Sequence, residues 1–430
     1  MKTWSVRGVT AVLAVAVLVN GVRAADLGFP ENCIELAGVS SRGLRSHTFS
    51  ARDSVLFGLD HPNRKQNPGE ATPFIAWDTR TGKWLARLSA PDPRALSWRF
   101  SPDGTLLAIP LISNTRPVQL WEVGSKDAQG VPALRLLTTL QQRYRRPTLS
   151  DPRAEGHAGF ADLAVLAWTP DSKTLLALHE TPKNEIQFWS RTDKPSVWDE
   201  SDRETKWKPW AIVEYEPQLL MDFTVSPDNR SLAVIISSGR REGTGQIYDL
   251  DTAKLREEFQ VKRPPRKPYE GYSYRLQYSD DSKTLAISDS HYLALWDTAP
   301  LAPRVEMEKP DFLDESGHPH RHMAFLRDNR WLLTVKYPTH EDHKRLTGGL
   351  LQLQFRNAQS GELRKEVGFP KELGLLDEIE TLPDGRVMTR FVFRQKNKDL
   401  AMRCFLWHDE DLFRYAAEHG SAPTPKAKAD

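Results

Sequence analysis

Apolar and polar residues alternate along most of this chain in short blocks that are typical of β-strands. In Leu96–Phe100 every second residue is apolar, which is the period of a strand with one buried face. Ser101–Gly104 has the composition of a tight turn, because proline presets φ, aspartate bonds the backbone ahead and glycine accepts a positive φ. Thr105–Leu111 is almost wholly apolar, as expected of a strand covered on both faces. Val118–Trp121 and Ala133–Leu140 then complete a four-stranded unit.

The turn recurs along the chain with aspartate at its third position in every copy. Its fourth residue is glycine, asparagine or serine, and an apolar strand follows each copy. The further copies are Ala51–Ser54, Thr169–Ser172, Ser226–Asn229, Ser279–Ser282, Leu326–Asn329 and Leu382–Gly385. Later in each unit an apolar strand ends in an aromatic residue, often with an acid after it, as in Ala76–Asp78 and Leu295–Asp297.

Units of this kind cannot bury both faces alone, so seven in succession predict one all-β domain whose sheets stack around an axis. That architecture is a seven-bladed β-propeller, with six or eight blades as alternatives. Through its turn and aromatic motifs, the chain from Leu44 to Trp407 resembles the WD-repeat β-propellers and the Pro-Asp-turn propellers of bacterial periplasmic proteins. The Gly-His pair that usually opens a WD repeat is absent from most units, so we do not expect that family's internal hydrogen-bond network. The resemblance implies a fold and no particular function.

A propeller closes when strands from both chain ends pair, since two open sheet edges would otherwise remain. We expect residues 32–37 to form the outer strand of the last blade, beside Met402–Trp407. The two cysteines of the chain, Cys33 and Cys404, lie on these strands, and opposed residues of antiparallel neighbours have the Cα spacing of a disulfide. We therefore predict a Cys33–Cys404 disulfide that locks the propeller. Two unrelated buried thiols are the alternative.

Residues 1–24 have the pattern of a secretory signal peptide, with Lys2 and Arg7 before the apolar stretch Val9–Val19 and a cleavage site at Val22–Ala24. An uncleaved anchor is the alternative. We expect a secreted or periplasmic protein with no membrane span after cleavage. The propeller then occupies residues 25–410, and a short helix with an acidic start follows at residues 411–420. The tail at residues 421–430 is predicted to be disordered.

Charge suggests where a partner would bind. The net charge is only +2, so no global field favours nucleic acid as a partner. In the strand order of a propeller, the loops between second and third strands and the connectors between blades share one face, and this face is predicted to be basic. The candidate binding residues are Arg143, Arg145, Arg146, Arg240, Arg241, Lys262, Arg263, Arg266 and Lys267. We predict a surface for a protein or an anionic glycan; charge that only keeps the loops soluble is the alternative.

Histidines suggest one possible metal site. They form two runs, one in a connector and one in a loop of the same blade, which should reach the same face. The candidate ligands are His318, His320, His322, His340 and His343. Imidazole beside the carboxylates of Glu341 and Asp342 suits zinc, copper or nickel. Exposed polar loops are the alternative, since no stringent ligand spacing is present.

No catalytic motif is visible in the sequence. It lacks a glycine-rich phosphate loop, a His-Glu-x-x-His helix and a Gly-x-Ser-x-Gly elbow, so we predict no catalytic residue and no cofactor. The sequence favours an exported, non-catalytic binding or scaffold propeller. The alternative is an enzyme of hydrolase or lyase type with a shallow active site at the propeller axis.

Overall fold

The computed structural model describes residues 29–36, 44–60, 74–88, 98–111, 117–140, 166–179, 185–191, 207–214, 219–237, 243–261, 274–289, 292–308, 323–336, 352–394 and 400–421. These residues form seven antiparallel sheets, six of four strands and one of five. The first strands of consecutive sheets lie beside one another around a common axis, so the sheets are the blades of a propeller. The predicted seven-bladed all-β propeller is confirmed.

Each blade runs outwards from its first strand at the axis. Blade 1 contains β2 (Leu44–Ser50), β3 (Val55–Asp60), β4 (Phe74–Asp78) and β5 (Trp84–Leu88), and blade 2 contains β6 (Arg99–Phe100), β7 (Leu106–Pro110), β8 (Val118–Lys126) and β9 (Pro132–Leu140). Blade 3 contains β10 (Leu166–Trp168), β11 (Thr174–His179), β12 (Glu185–Arg191) and β13 (Trp207–Glu214), and blade 4 contains β14 (Leu219–Val225), β15 (Ser231–Ser237), β16 (Gly243–Asp249) and β17 (Leu255–Val261).

Blades 5 to 7 follow the same order, with additions from both chain ends. Blade 5 contains β18 (Arg275–Tyr278), β19 (Thr284–Asp289), β20 (Tyr292–Thr298) and β21 (Leu301–Glu308). Blade 6 contains β22 (Met323–Phe325), β23 (Trp331–Lys336), β24 (Gln352–Asn357), β25 (Leu363–Gly368) and β29 (Gly420–Ser421). Blade 7 contains β26 (Leu375–Thr381), β27 (Val387–Arg394), β28 (Leu400–Trp407) and β1 (Ile34–Glu35), and a 3₁₀ turn, Lys371–Leu373, precedes it.

Each of the seven turns between the first and second strand of a blade has its fourth residue in the left-handed region. This conformation explains why glycine, asparagine and serine occupy that position. The φ values are 52° at Ser54, 69° at Gly104, 63° at Ser172, 62° at Asn229, 60° at Ser282, 57° at Asn329 and 87° at Gly385. In six of the seven turns, the aspartate at the third position accepts a hydrogen bond from the backbone two residues ahead, as from Thr105 N to Asp103 Oδ1 at 3.0 Å. Local backbone geometry therefore accounts for the repeated residue types.

Neighbouring turns are linked around the face on which they lie, here called the turn face. A side chain at the fourth position of one turn accepts a hydrogen bond from the backbone of the turn before it. These bonds join Asp103 N to Ser172 Oγ at 2.9 Å, Asp228 N to Ser282 Oγ at 2.9 Å and Asp280 N to Asn329 Oδ1 at 2.7 Å. Where the fourth residue is glycine, an arginine of the preceding turn lies against it, Arg52 at Gly104 and Arg327 at Gly385. The turns thus fix one another as well as their own blades.

The two ends of the propeller are joined in blade 7, as expected. Strand β1 pairs with β28 as the outer strand, with Ile34 opposite Leu406 and Glu35 opposite Phe405. Arg403 reinforces this closure with two hydrogen bonds to the carboxylate of Glu35, at 2.6 Å and 2.7 Å. The charge-assisted pair is bidentate, which is the stronger geometry for arginine and carboxylate.

The predicted disulfide is not part of this closure. Cys33 and Cys404 are both buried, and their sulfur atoms are not bonded to each other. Leu36 lies alongside Cys404, with its N–H donating to the Cys404 carbonyl at 2.9 Å. The two thiols also occupy opposite faces of blade 7, because Cys33 packs in the same cluster as Trp407 and Cys404 packs with Leu406. The strand pair is predicted correctly and its register is not, so the thiols cannot meet across the sheet.

The C-terminal segment packs back onto blades 6 and 7. Helix α1 (Asp409–His419) starts two residues before the predicted 411–420, and its Tyr415 ring lies 5.2 Å from Phe29 and 5.6 Å from Trp407, between centroids. Strand β29, at the boundary between the predicted helix and tail, pairs with β25. No helix among the described residues is long and apolar enough to cross a bilayer. The predicted signal peptide and residues 422–430 lie outside the described residues.

Candidate functional site

Three ionisable side chains meet where blade 7 contacts blade 1. His47 is on β2, the innermost strand of blade 1, and Glu378 and Glu380 are on β26, the innermost strand of blade 7. The strand pairing shifts beside these residues, between Leu44 and His47 and between Leu376 and Glu378. Such bulges re-aim the side chains next to them. We call His47, Glu378 and Glu380 the axial cluster.

The axial cluster combines two buried groups with one that reaches solvent. The Nε2 atom of His47 lies 2.5 Å from Glu380 Oε2, and its Nδ1 atom lies 4.0 Å from Glu378 Oε2. The side chains of His47 and Glu378 are 3% and 2% exposed, whereas that of Glu380 is 42% exposed. Only the Glu380 side of the cluster is therefore open to water.

Arg390 supplies the positive charge that the buried carboxylate needs. It lies on β27 directly opposite Glu378, and its Nη1 atom is 2.6 Å from Glu378 Oε2. A carboxylate removed from water keeps its charge at a tolerable cost only when a paired cation and hydrogen bonds replace the lost hydration. The guanidinium of Arg99 fixes the other side of the site, since its Nη1 donates to the His47 carbonyl at 3.0 Å.

A related bulge at the contact of blades 4 and 5 has a purely structural arrangement. The shift on β14 precedes Asp222, whose Oδ2 accepts a hydrogen bond from Leu276 N of the next blade at 2.9 Å. The Nη1 atom of Arg275 lies 3.8 Å from the other oxygen of Asp222. This carboxylate joins two blades through the backbone, whereas the axial cluster brings donor atoms of three side chains within 4.8 Å of one another. The axial cluster is therefore the candidate site among the described residues.

The sequence did not predict the axial cluster. Its two carboxylates alternate in Glu378–Glu380, but His47 comes from the opposite end of the chain and meets them only because the propeller closes. The candidate binding residues lie outside the described residues, as do the candidate metal ligands: Arg143, Arg145, Arg146, Arg240, Arg241, Lys262, Arg263, Arg266, Lys267, His318, His320, His322, His340 and His343. These assignments stay predictions.

Comparisons with known proteins support the fold and go no further. No protein-family model matches the chain. No curated protein matches it either. A chain in the crystal structure of the mitotic checkpoint complex is 12% identical, with a TM-score of 0.52 over 88% of this chain and 94% of that one. A crystal structure of a protein from Lactobacillus plantarum is 16% identical, with a TM-score of 0.47 over 74% and 82% of the two chains.

Proposed function

We propose that this chain is an exported, non-catalytic binding or scaffold propeller of the Pro-Asp-turn type, which binds an acidic protein or an anionic glycan. The proposed binding surface is the face opposite the turn face, here called the loop face. The loops that join the second and third strands of a blade, such as those between β3 and β4 and between β23 and β24, lie on this side of the propeller. The connectors between blades also start and finish on this side. The observation that carries the proposal is the asymmetry between the two faces, because the short turns are occupied in holding the blades together.

The chain lengths between strands support this assignment. On the turn face, Val55 follows Ser50 after only the turn residues 51–54. On the loop face, residues 141–165 separate β9 from β10, and residues 337–351 separate β23 from β24. Segments of that length are uncommon within a compact domain, where they are either functional or linkers without structure of their own. We propose the first for this face.

Charge supports an anionic partner. The segments that join strands on the loop face contain more lysine and arginine than aspartate and glutamate, although the whole chain is close to neutral at +2. The connector from Lys262 to Ser273 is the most basic, with Lys262, Arg263, Arg266 and Lys267 against the single acid Glu270. A local concentration of one sign of charge raises the encounter rate with an oppositely charged partner.

The axial cluster is the observation that favours the enzyme alternative, since two carboxylates and an imidazole can transfer protons. Burial argues against it. Of the three groups only Glu380 reaches solvent, and His47 and Glu378 are 3% and 2% exposed. General acid–base catalysis needs the catalytic group within hydrogen-bond reach of the reacting atom, so a substrate would require these blades to separate.

Heparin affinity, measured at several salt concentrations, tests the proposal. Replacing Lys262, Arg263, Arg266 and Lys267 together by glutamate should raise the Kd for heparin by about tenfold or more. A tenfold change corresponds to about 1.4 kcal/mol of binding free energy. The charge-matched control replaces four exposed lysines of the turn face by glutamate, at Lys83, Lys173, Lys254 and Lys283. Equal losses in the two variants, or no binding by the unsubstituted protein to heparin or polyglutamate, would contradict the proposal.

Export is tested separately by cell fractionation. We expect the mature chain in the exported fraction, with its N-terminus at Ala25 by mass spectrometry. Recovery of the protein with Met1 in the cytosol would contradict export and leave the binding proposal to the heparin experiment.

A further inference from the structure

We infer that the axial cluster is a binding site for one divalent transition-metal ion of the Zn²⁺ type, which clamps the first blade to the last. The ligands are one ring nitrogen of His47 and one carboxylate oxygen each from Glu378 and Glu380. These donor atoms come from three side chains and lie within 4.8 Å of one another. The site is distinct from the loop histidines and from the proposed binding surface.

The donor set selects the class of ion. One imidazole with two carboxylates matches the nitrogen and oxygen ligands that Zn²⁺ takes at about 2.0–2.2 Å. Calcium and magnesium prefer sites made wholly of oxygen ligands. Two ligands bonded to one tetrahedral ion lie roughly 3.3–3.5 Å apart by this geometry. The 2.5 Å contact with Glu380 is made by Nε2 of His47, and the 4.0 Å approach to Glu378 is made by Nδ1. A single ion takes one of these nitrogens, so one side chain must rotate to bring the other carboxylate to it, from donor atoms that already lie within 4.8 Å of one another.

The imidazole provides an independent indication. The Nδ1 atom of His47 is buried and has no hydrogen-bond partner among the described residues, although it faces Glu378 Oε2 at 4.0 Å. Buried polar side-chain atoms are nearly always hydrogen-bonded, and each exception requires an explanation such as an ion or a water. An ion bound at Nδ1 would give this atom the partner that it lacks.

The charges and contacts around the axial cluster are compatible with an ion. The cluster faces two arginines, Arg390 through its guanidinium on Glu378 and Arg99 through its hydrogen bond to the His47 carbonyl. In this arrangement Arg390 orients Glu378, as outer-shell partners commonly orient metal ligands. A divalent ion adds positive charge between two carboxylates, of which Glu378 pairs with the Arg390 guanidinium. The 42% exposure of Glu380 provides the route by which the ion enters.

The ion would hold blade 1 against blade 7 at the inner edge of the propeller, next to the axis. Strands β1 and β28 join the chain ends at the outer edge of blade 7, and His47 and Glu378 lie on the innermost strands of blades 1 and 7. Since an ion that binds only the folded chain stabilises it by mass action, Zn²⁺ should raise the Tm.

The test uses untagged, chelator-treated protein titrated with Zn²⁺ by calorimetry, with the bound metal measured by mass spectrometry. We expect one Zn²⁺ per chain and a higher Tm. E380Q should weaken Zn²⁺ binding by about tenfold or more and abolish the increase in Tm. Of substitutions at the three ligands, E380Q should disturb folding least, because Glu380 is partly solvated. H47Q should have the same effect if it folds.

The matched control replaces the five loop histidines, His318, His320, His322, His340 and His343, by glutamine, and should still bind one ion. Absence of binding by the unsubstituted protein, or unchanged binding by E380Q, would overturn the inference. Loss of the ion in the five-histidine variant with retention in E380Q would assign it to the loops instead.

Discussion

On the turn face, polar groups of one turn bond to the next, as Asp103 N does to Ser172 Oγ at 2.9 Å. On the loop face, the strand ends lead into much longer segments, such as residues 141–165 and 337–351. Apart from residues 192–206 between β12 and β13, the first face has short turns, and backbone conformation dictates the residue types of the seven turns between first and second strands. The second face also has a short connection, residues 290–291 between β19 and β20, but several of its segments are longer than is needed to reach the next strand.

This difference separates the residues that stabilise the propeller from those proposed to bind. Changing a turn-face residue that contacts the next blade should alter the free energy of unfolding, because the change removes that contact. A change of surface charge in the loop face should alter stability by no more than about 0.5 kcal/mol while it changes binding.

The largest effect is expected from Gly82→Ala, in the turn between β4 and β5. Gly82 has φ +70°, and a Cβ atom there would overlap the carbonyl oxygen of Glu35 and lie 2.9 Å from Ile34 Cγ2 on the closing strand. We expect a loss of about 3–5 kcal/mol in the free energy of unfolding by urea, from the left-handed conformation and the displaced strand together.

Gly130→Ala is the matched control. Gly130 has φ +83°, but its added Cβ would meet only Leu85 Cδ2 at 3.7 Å. This variant should lose only about 1–2 kcal/mol, the cost of the left-handed conformation alone. Similar losses in the two variants would mean that the contact with β1 does not constrain the turn.

Arg386→Ala should have the next largest effect. Arg386 is 9% exposed, pairs with Asp384, and donates to the carbonyl and hydroxyl of Thr79 in blade 1 at 2.5 Å and 2.8 Å. Removing these charge-assisted hydrogen bonds should cost about 2–3 kcal/mol. Arg330 occupies the same position of the preceding turn and is 78% exposed, so Arg330→Ala should change stability by about 0.5 kcal/mol or less. Equal losses would place the effect within the turn and not between blades.

Ser282→Ala tests a single bond between turns. The substitution removes the acceptor of Asp228 N at 2.9 Å, and we expect a loss of about 1 kcal/mol in urea unfolding. Ser282→Gly removes the same acceptor but relieves the positive φ of 60°, so its loss should be smaller. A larger loss for glycine would show that backbone conformation is not limiting at this turn.

The sequence could predict the features that depend on local conformation. Gly104 and Asn329 mark positions of positive φ, and both turns are found where the pattern places them. The pairing of the chain ends also follows from a general need to close the propeller. The register of β1 against β28 does not, since a small slip changes which face Cys33 occupies. His47 is equally invisible, because two bulges and closure of the propeller bring it to the carboxylates of blade 7.

The smallest predicted effect concerns two turn-face aspartates whose pKa values shift in opposite directions. Burial raises the pKa of Asp103, but the stronger combined effect of hydrogen bonds from Ser101 and Thr105 lowers it below its usual value. Burial raises the pKa of Asp280 despite the nearby charge of Arg327. Asp103 thus contributes stability above its unfolded-state pKa that is lost as the pH falls through the folded value, whereas protonation of Asp280 favours the folded state.

Urea unfolding measured between pH 6 and pH 3, roughly the range around the ordinary aspartate pKa, separates the two groups. Asp103→Asn should make the acid loss of stability shallower than in the unsubstituted protein, because the variant no longer carries a carboxylate that must be protonated. Asp280→Asn should make the acid loss of stability steeper, because the folded protein loses a carboxylate whose protonation at low pH favours folding. Both changes should be small, since both groups are only partly buried and solvent screens their interactions. Parallel pH profiles in the three proteins would show that the turn-face carboxylates act through hydrogen-bond geometry and not through charge.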